Sequence, residues 1–177
     1  SVSSAQVLQD TRCELYGAWQ YLRLSDTAAD AAQAQNTLPA SAQVSTVIQN
    51  GIVLGADDGV AGGIGTVDDT FAQLGRIVPI SGDFPTQPDE IAMTTTLLDA
   101  LGCSYDVGQT VTLKVAANDY DPLAGSGTVV EKAYTLCGVL PAYDVYWNLN
   151  GNLTVSGIVA EPLALDGQKF QTFYYLN

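Results

Sequence analysis

The clearest alternation of apolar and polar positions lies in "GQTVTLKVAA". Val111, Leu113 and Val115 fall on one side there, and Thr110, Thr112 and Lys114 on the other. Successive side chains leave a strand on opposite faces, so a period of two marks a half-buried strand. After the turn-rich "NDYDPLAGSG" comes a second long strand pattern, "TVVEKAYTLCGVL", and the pair predicts a long antiparallel hairpin in the second half of the chain. Near the start, "RCELYGAWQYLRL" admits two periods. Leu8, Leu15, Trp19 and Leu22 make a rough helical stripe, whereas Cys13, Leu15, Gly17, Trp19 and Tyr21 share one face at period two. Its aromatics and Gly17 favour a strand, and residues 3–9 before it suit a helix.

"SDTAADAAQAQN" predicts a helix capped by Ser25 or Asp26 and ended by Pro39. "AQVSTVIQNGIVLG" returns to strand chemistry through Val44, Val47, Ile48, Ile52 and Val53, which makes a β-α-β start. "ADDGVAGGIGT" is expected to be a mobile, glycine-rich polar connection. "DDTFAQLG" predicts a short helix capped by Asp68 or Asp69 and closed at Gly75, and "RIVPI" a short strand that Pro79 confines to an edge. Gly82 and Pro85 form a turn before the strand "EIAM", with Ile91 and Met93 on one face. Thr94 or Thr95 then caps a helix carrying Leu97, Leu98 and Leu101, which Gly102 terminates. "LTVSGIVA" and "FQTFYYL" close the chain as strands around a helix or turn in "EPLALDG". The fold class is α+β: a mixed or antiparallel sheet with short packed helices, in one domain spanning 1–177 or two lobes sharing a core.

Composition sharpens this picture. Apolar residues make up 47% of the 177 positions and charged ones only 14%, which excludes a disordered chain. Six Lys and Arg stand against nineteen Asp and Glu, a net charge of -13. Such a surface repels nucleic acids and anionic headgroups, attracts cations, and keeps an apolar-rich domain in solution. No apolar run reaches the ~20 residues of a membrane-spanning helix. The chain opens at Ser1 without a signal-peptide pattern and stops within an aromatic run, so it is expected to be a fragment of a longer protein.

Candidate chemistry is sparse. The chain has no histidine, which removes the commonest general base and metal ligand. Asp57, Asp58, Asp68 and Asp69 flank the glycine-rich segment and are the candidate metal ligands, since hard cations take oxygen donors. Their spacing matches no calcium-loop template, and Asp68 and Asp69 also suit a helix N-terminus. Asp89 and Glu90 are strand neighbours and point to opposite faces. "GVAGGIG" lacks both the order and the lysine of a phosphate loop. Cys13, Cys103 and Cys137 form no zinc or disulfide pattern; one pair can bridge, which leaves one thiol free. Trp19, Tyr143, Tyr146 and Trp147 build either a binding platform or core. Neither catalytic residues nor a cofactor are expected.

"GDFPTQPDEIAMTTTLLDALG", followed by "DVGQTVTLKV" and "KAYTLCGVLPAY", resembles the extracytoplasmic domain of FtsX/MacB-type ABC transporter permeases (the MacB-like periplasmic core). Four linked pieces match in order over residues 82–143, about a third of the chain. They are a Gly-x-hydrophobic-Pro turn at Gly82, Phe84 and Pro85; a strand opened by Glu90; a helix ending in Leu101 and Gly102; and strands marked by Gly108 and Gly138. "YGAW" and "GIGTVDDTFAQLGRIVPISG" match more loosely. The resemblance implies a non-enzymatic domain at the extracytoplasmic face of a bacterial cell membrane. It would be inserted between transmembrane helices of the same polypeptide and driven indirectly by a cytoplasmic ATP-binding subunit. Substrate or partner handling follows from it, and the acidic surface suggests a cationic peptide. The alternative is a secreted or surface-anchored module binding glycans or proteins; a hydrolase with a carboxylate pair comes third.

Overall fold

The computed structural model describes residues 21–25, 27–147 and 153–175. The elements run β1 (Tyr21–Ser25), α1 (Ala28–Asn36), β2 (Gln43–Leu54), β3 (Val60–Val67), α2 (Phe71–Gly75), β4 (Ser81–Gly82), β5 (Glu90–Thr94), α3 (Thr95–Ala100), β6 (Thr110–Ala116), β7 (Val129–Leu140), α4 (Tyr143–Trp147), β8 (Val155–Val159) and β9 (Lys169–Tyr175). The fold is α+β, with a mixed sheet in the order β1-β9-β2-β3-β8-β5-β7-β4. β6 pairs with both β2 and β7, so the path β2–β3–β8–β5–β7–β6 returns to its start. Closure of this kind removes most of the free edge from six strands. The length of β2 makes it possible: its first seven residues pair with β9 and its last three with β6. Within the ring β3–β8 and β5–β7 are parallel, and the other pairs antiparallel.

All six ring strands supply one buried cluster, including Val53, Ile64, Met93, Leu113, Leu136 and Val159. α3 adds Leu97 and Leu98 to it, both fully buried. The expected alternation of β6 supports this core, with Val111, Leu113 and Val115 buried and Thr110, Thr112 and Lys114 exposed. A second cluster combines residues of β2, β5, β7, β8 and β9 with α2 and α4. There Trp147 packs against Phe71, Tyr143 and Phe173 at ring-centroid distances of 5.6, 5.0 and 5.1 Å. The opening β-α-β unit is also present. β1 and β2 are both antiparallel to β9, which lies between them, so they run parallel to each other.

Several expectations change. The glycine-rich segment is no mobile connection but the central strand β3, held between β2 and β8. Its glycines answer to crowding: a Cβ on Gly65 would overlap the Ile48 carbonyl oxygen, so only backbone fits there. α1 is capped by Thr27, whose Oγ1 accepts the Asp30 N–H at 3.1 Å, because Ser25 still belongs to β1. α2 has Thr70 at its N-cap without a side-chain cap bond, and its left-handed closing residue is Arg76 (φ 52°), not Gly75. Gly75 is small for another reason: a Cβ would sit 2.6 Å from the Trp147 ring. "RIVPI" forms no strand, since the edge strand β4 starts only after it. "EPLALDG" is irregular, and α4 was not expected at all. The helix expected at 3–9 and most of the strand at 12–24 lie outside the described residues. Among the described residues, no helix is long and apolar enough to cross a membrane.

Candidate functional site

Gly82, Glu90 and Gly138 of the motif lie at the junction of β4, β5 and β7, with Phe84 and Pro85 in the loop between β4 and β5, whereas Leu101 and Gly102 end α3 and Gly108 precedes β6. Gly82 pairs with Gly138 across β4–β7, and Asp83 N–H donates to the Cys137 carbonyl at 3.0 Å. A Cβ on Gly82 would overlap the Cys137 carbonyl oxygen, and one on Gly138 the Asp83 carbonyl oxygen. Gly82 also has φ of 66°, a conformation costly for other residues. Two glycines 56 positions apart therefore serve one contact.

The loop after this contact is shaped by Glu90. Its Oε1 accepts the N–H groups of Thr86 and Gln87 at 3.0 and 2.9 Å and the Thr86 hydroxyl at 3.2 Å. The backbone bond from Thr86, then that from Gln87, holds the Glu90 carboxyl below its usual value of 4.5. Thr94 caps α3 by accepting the Leu97 N–H at 3.1 Å. Leu101 packs against the ring interior as the C-cap, and Gly102 follows with φ of 68°. Gly108, with φ of 99°, donates its N–H to the Leu136 carbonyl at 2.8 Å and so sets β6 beside β7.

Phe84, Pro85 and Thr86 form one wall of a cleft of about 350 Å³. Val67, Asp68, Asp69 and Ala72 line it from the end of β3 and from α2, and Ile158 to Ala160 from the end of β8. Asp68 is committed to the fold. Its Oδ1 accepts the Ser45 hydroxyl at 2.8 Å and its Oδ2 the Thr46 N–H at 2.7 Å, while the Thr70 hydroxyl lies 3.0 Å from Oδ1. Asp69 lines the cleft exposed.

The four candidate metal ligands do not assemble. Asp57 accepts the Gly59 N–H at 3.1 Å in the β2–β3 turn, and Asp58 pairs with Lys114 at 3.1 Å. The eight residues of β3 separate these two from Asp68 and Asp69, roughly 25 Å at strand rise. Among the described residues, no cluster of three or more His, Cys, Asp or Glu is placed to hold a metal ion. Cys103 and Cys137 are both free thiols. Burial first, then the charge of Glu90, pushes the Cys137 thiol up to about 11, so it is not a thiolate at neutral pH. Tyr143 and Trp147 are core residues and form no platform, Tyr146 is exposed, and Trp19 lies outside the described residues.

Sequence reasoning passed over Asp144, an acid set among aromatics in "AYDVYW". It is 9% exposed and accepts the Thr94 hydroxyl on Oδ2 at 2.8 Å. Its neighbour Tyr143 donates its hydroxyl to the Val155 carbonyl at 2.7 Å, and burial, then the Asp144 charge, holds that phenol well above its usual value.

No family model matches the chain, and no curated protein matches it. Among solved structures, the chain is similar to a domain from Porphyromonas gingivalis that is described as part of a permease. Identity is 14% and the TM-score 0.43, over 88% of this chain and 64% of that one. It is also similar to the periplasmic region of MacB from Actinobacillus actinomycetemcomitans, at 11% identity and a TM-score of 0.41, over 88% of this chain and 68% of the other. The chain thus spans about two thirds of each.

Proposed function

We propose that the chain is the extracytoplasmic domain of an ABC transporter permease of the FtsX/MacB type, carried on transmembrane helices of the same polypeptide. ATP turnover in a cytoplasmic subunit shifts those helices, and the domain moves with them to handle a substrate or regulate a partner outside the membrane. One observation carries this reading: the linked order of turn, strand, helix and two strands over residues 82–143. Its first and last pieces are joined by the Gly82–Gly138 contact. Those residues build backbone contacts and a cleft wall, which suits a domain that transmits motion. Coupling of this kind requires a ligand that distinguishes two states.

The cleft beside Phe84 and Pro85 is the place in this proposal where a ligand is gripped. An acidic surface with a net charge of -13 favours a cationic peptide there. Binding of such a peptide weakens as ionic strength rises, and a salt-independent affinity would rule out electrostatic attraction. The deciding experiment is to determine the coding sequence on both sides of this chain and scan its translation for hydropathy. One membrane span just before the chain and several after it are expected, with an ATPase gene alongside. A signal peptide before it and a stop codon or wall anchor after it would overturn the proposal in favour of a secreted binding module.

A further inference from the structure

β7 is 12 residues long and β5 only 5, and the two strands pair from Thr135 to Leu140. Along residues 129–133, β7 pairs with β6 on one side, and among the described residues no strand pairs with it on the other. The hydrogen bonds fix which backbone groups this leaves open. Thr128 accepts the Ala117 N–H at 2.9 Å and Leu136 donates to the Gln109 carbonyl at 2.8 Å, so the even-numbered residues of β7 bond to β6. Thr135 donates the opposite way, to the Asp89 carbonyl on the β5 side, at 2.8 Å. Val129, Glu131 and Ala133 share its direction and aim their N–H and C=O groups at the open side. All residues from Val129 to Ala133 are exposed. The inner face opens abruptly there: Val115 of β6 is 0% exposed, whereas its partner in register, Val130, is 37% exposed. Lys132, on the same face, lies over the Tyr134 ring at 5.3 Å and meets no carboxylate among the described residues.

We infer that this edge is a strand-addition site, which takes an extended segment of a partner protein in antiparallel pairing with residues 129–133. Unpaired N–H and C=O groups along an edge accept an extended chain, and the side chains select which one. On the inner face the segment needs an apolar residue against Val130 and an acidic one against Lys132. On the outer face it needs an apolar residue against Val129 and a basic one against Glu131, because opposite charges across a pair stabilise it and like charges do not. Read from its own N-terminus, the segment therefore carries an acidic residue, a basic one and two apolar ones in succession. A second copy of this chain fits poorly. The antiparallel register that overlaps residues 129–133 fully sets Glu131 against its own copy, and the next register toward Ala133 does the same to Lys132. The inference is independent of the transport reading, since such an edge would serve a secreted module equally.

The test is amide hydrogen exchange of the chain, followed by NMR, with a blocked peptide of the order Thr-Glu-Lys-Val-Val as the probe. That peptide has no net charge, so the overall charge of -13 adds little to its binding. Saturable binding is expected at roughly 0.1–1 mM, the range of a few edge hydrogen bonds and side-chain pairs. It should slow exchange several-fold at Val129, Glu131 and Ala133, and far less at Val130 and Lys132, which already bond to β6. Exchanging the glutamate and lysine of the peptide should weaken binding several-fold. Glu131→Pro removes the central outward N–H but no bond to β6, and should abolish binding. Should that variant not fold, Lys132→Glu decides: it should weaken the probe several-fold, and no change there overturns the inference. No saturable binding, even protection along β7, equal binding of the exchanged peptide, or binding retained in folded Glu131→Pro would overturn it as well. Protection of the same amides that grows with the concentration of the chain alone would overturn it in favour of self-pairing.

Discussion

The parallel pair β3–β8 has a cavity at each end, the cleft at one and a smaller cavity of about 160 Å³ beside Asp144 and Thr154 at the other, and the two ends use their carboxylates differently. At the C-terminal end, Asp68 ties the start of α2 to β2 through Ser45 and Thr46, and Glu90 closes the nearby wall through Thr86 and Gln87. Both Asp68 oxygens and Glu90 Oε1 already serve the fold. At the N-terminal end, Asp144 gives one oxygen to Thr94 and leaves the other without a donor. An acid at a cavity is therefore not in itself a site. What distinguishes the two ends is whether the lone pairs already have donors, and that depends on neighbours far away in the chain.

The largest disturbance would remove the pair that holds both ends. Gly65→Val places side-chain atoms against the Ile48 carbonyl, and overpacking against backbone should cost about 3 kcal/mol or more. Against a typical total of ~5–15 kcal/mol, urea denaturation should show a severe loss at both ends together. A variant as stable as the parent would mean that β2 and β3 are not packed this closely.

Thr94→Val should disturb only the Asp144 end. It removes a helix cap and leaves both Asp144 oxygens without a donor, together about 2–4 kcal/mol. Thermal unfolding measures the loss, while the amides around Asp68 should keep their shifts. Asp68→Ala is the counterpart at the other end. Its bonds to Ser45 and Thr46 are part-buried to exposed, so roughly 1–2 kcal/mol is expected, with the Asp144 end unaffected. If either variant perturbed both ends equally, the contrast between them would fail.

The smallest effect is acid-dependent. The Glu90 carboxyl is held below 4.5 by the Thr86 and Gln87 amides, so its stabilisation is fully present above that value. It is lost as pH falls through the lower, folded value. Protection of the Thr86 and Gln87 amides, relative to an unstructured peptide at the same pH, should therefore fall only below pH 4.5, while protection of the Leu97 amide at the α3 cap stays unchanged. Glu90→Gln should remove that dependence; a profile unchanged in the variant would assign the acid response to another group.

Much of the fold was legible because it is local. Alternation in "TVTLKVA" set the buried face of β6, and the turn-rich loop after it set the hairpin with β7. Thr94 followed by Leu97 and Leu98 set the start and buried side of α3. β3 was not legible, because "VAGGIG" carries few side chains from which to read a period. Its glycines answer to the backbone and side chains of β2, β8 and α3. The Thr70 and Arg76 ends of α2 were missed since Asp68, which looks like a cap, is drawn into bonds with β2. The cleft wall at Phe84 and Pro85 lay within a motif, whereas the buried acid Asp144 was invisible. Its hydrogen-bond partner is Thr94, 50 residues earlier.

By itself, the sequence determined which segments of β6 and β7 alternate, where α3 begins, and that the chain is acidic, because these depend on composition and on side chains a few positions apart. The tertiary structure alone decided that β6 would join β2 and close the ring, that β5 and β7 would run parallel, and that Asp144 would keep an oxygen unpaired. Strand partners meet through backbone groups that every residue except proline carries in full. A period along one strand says which face is buried, but not which strand lies beside it.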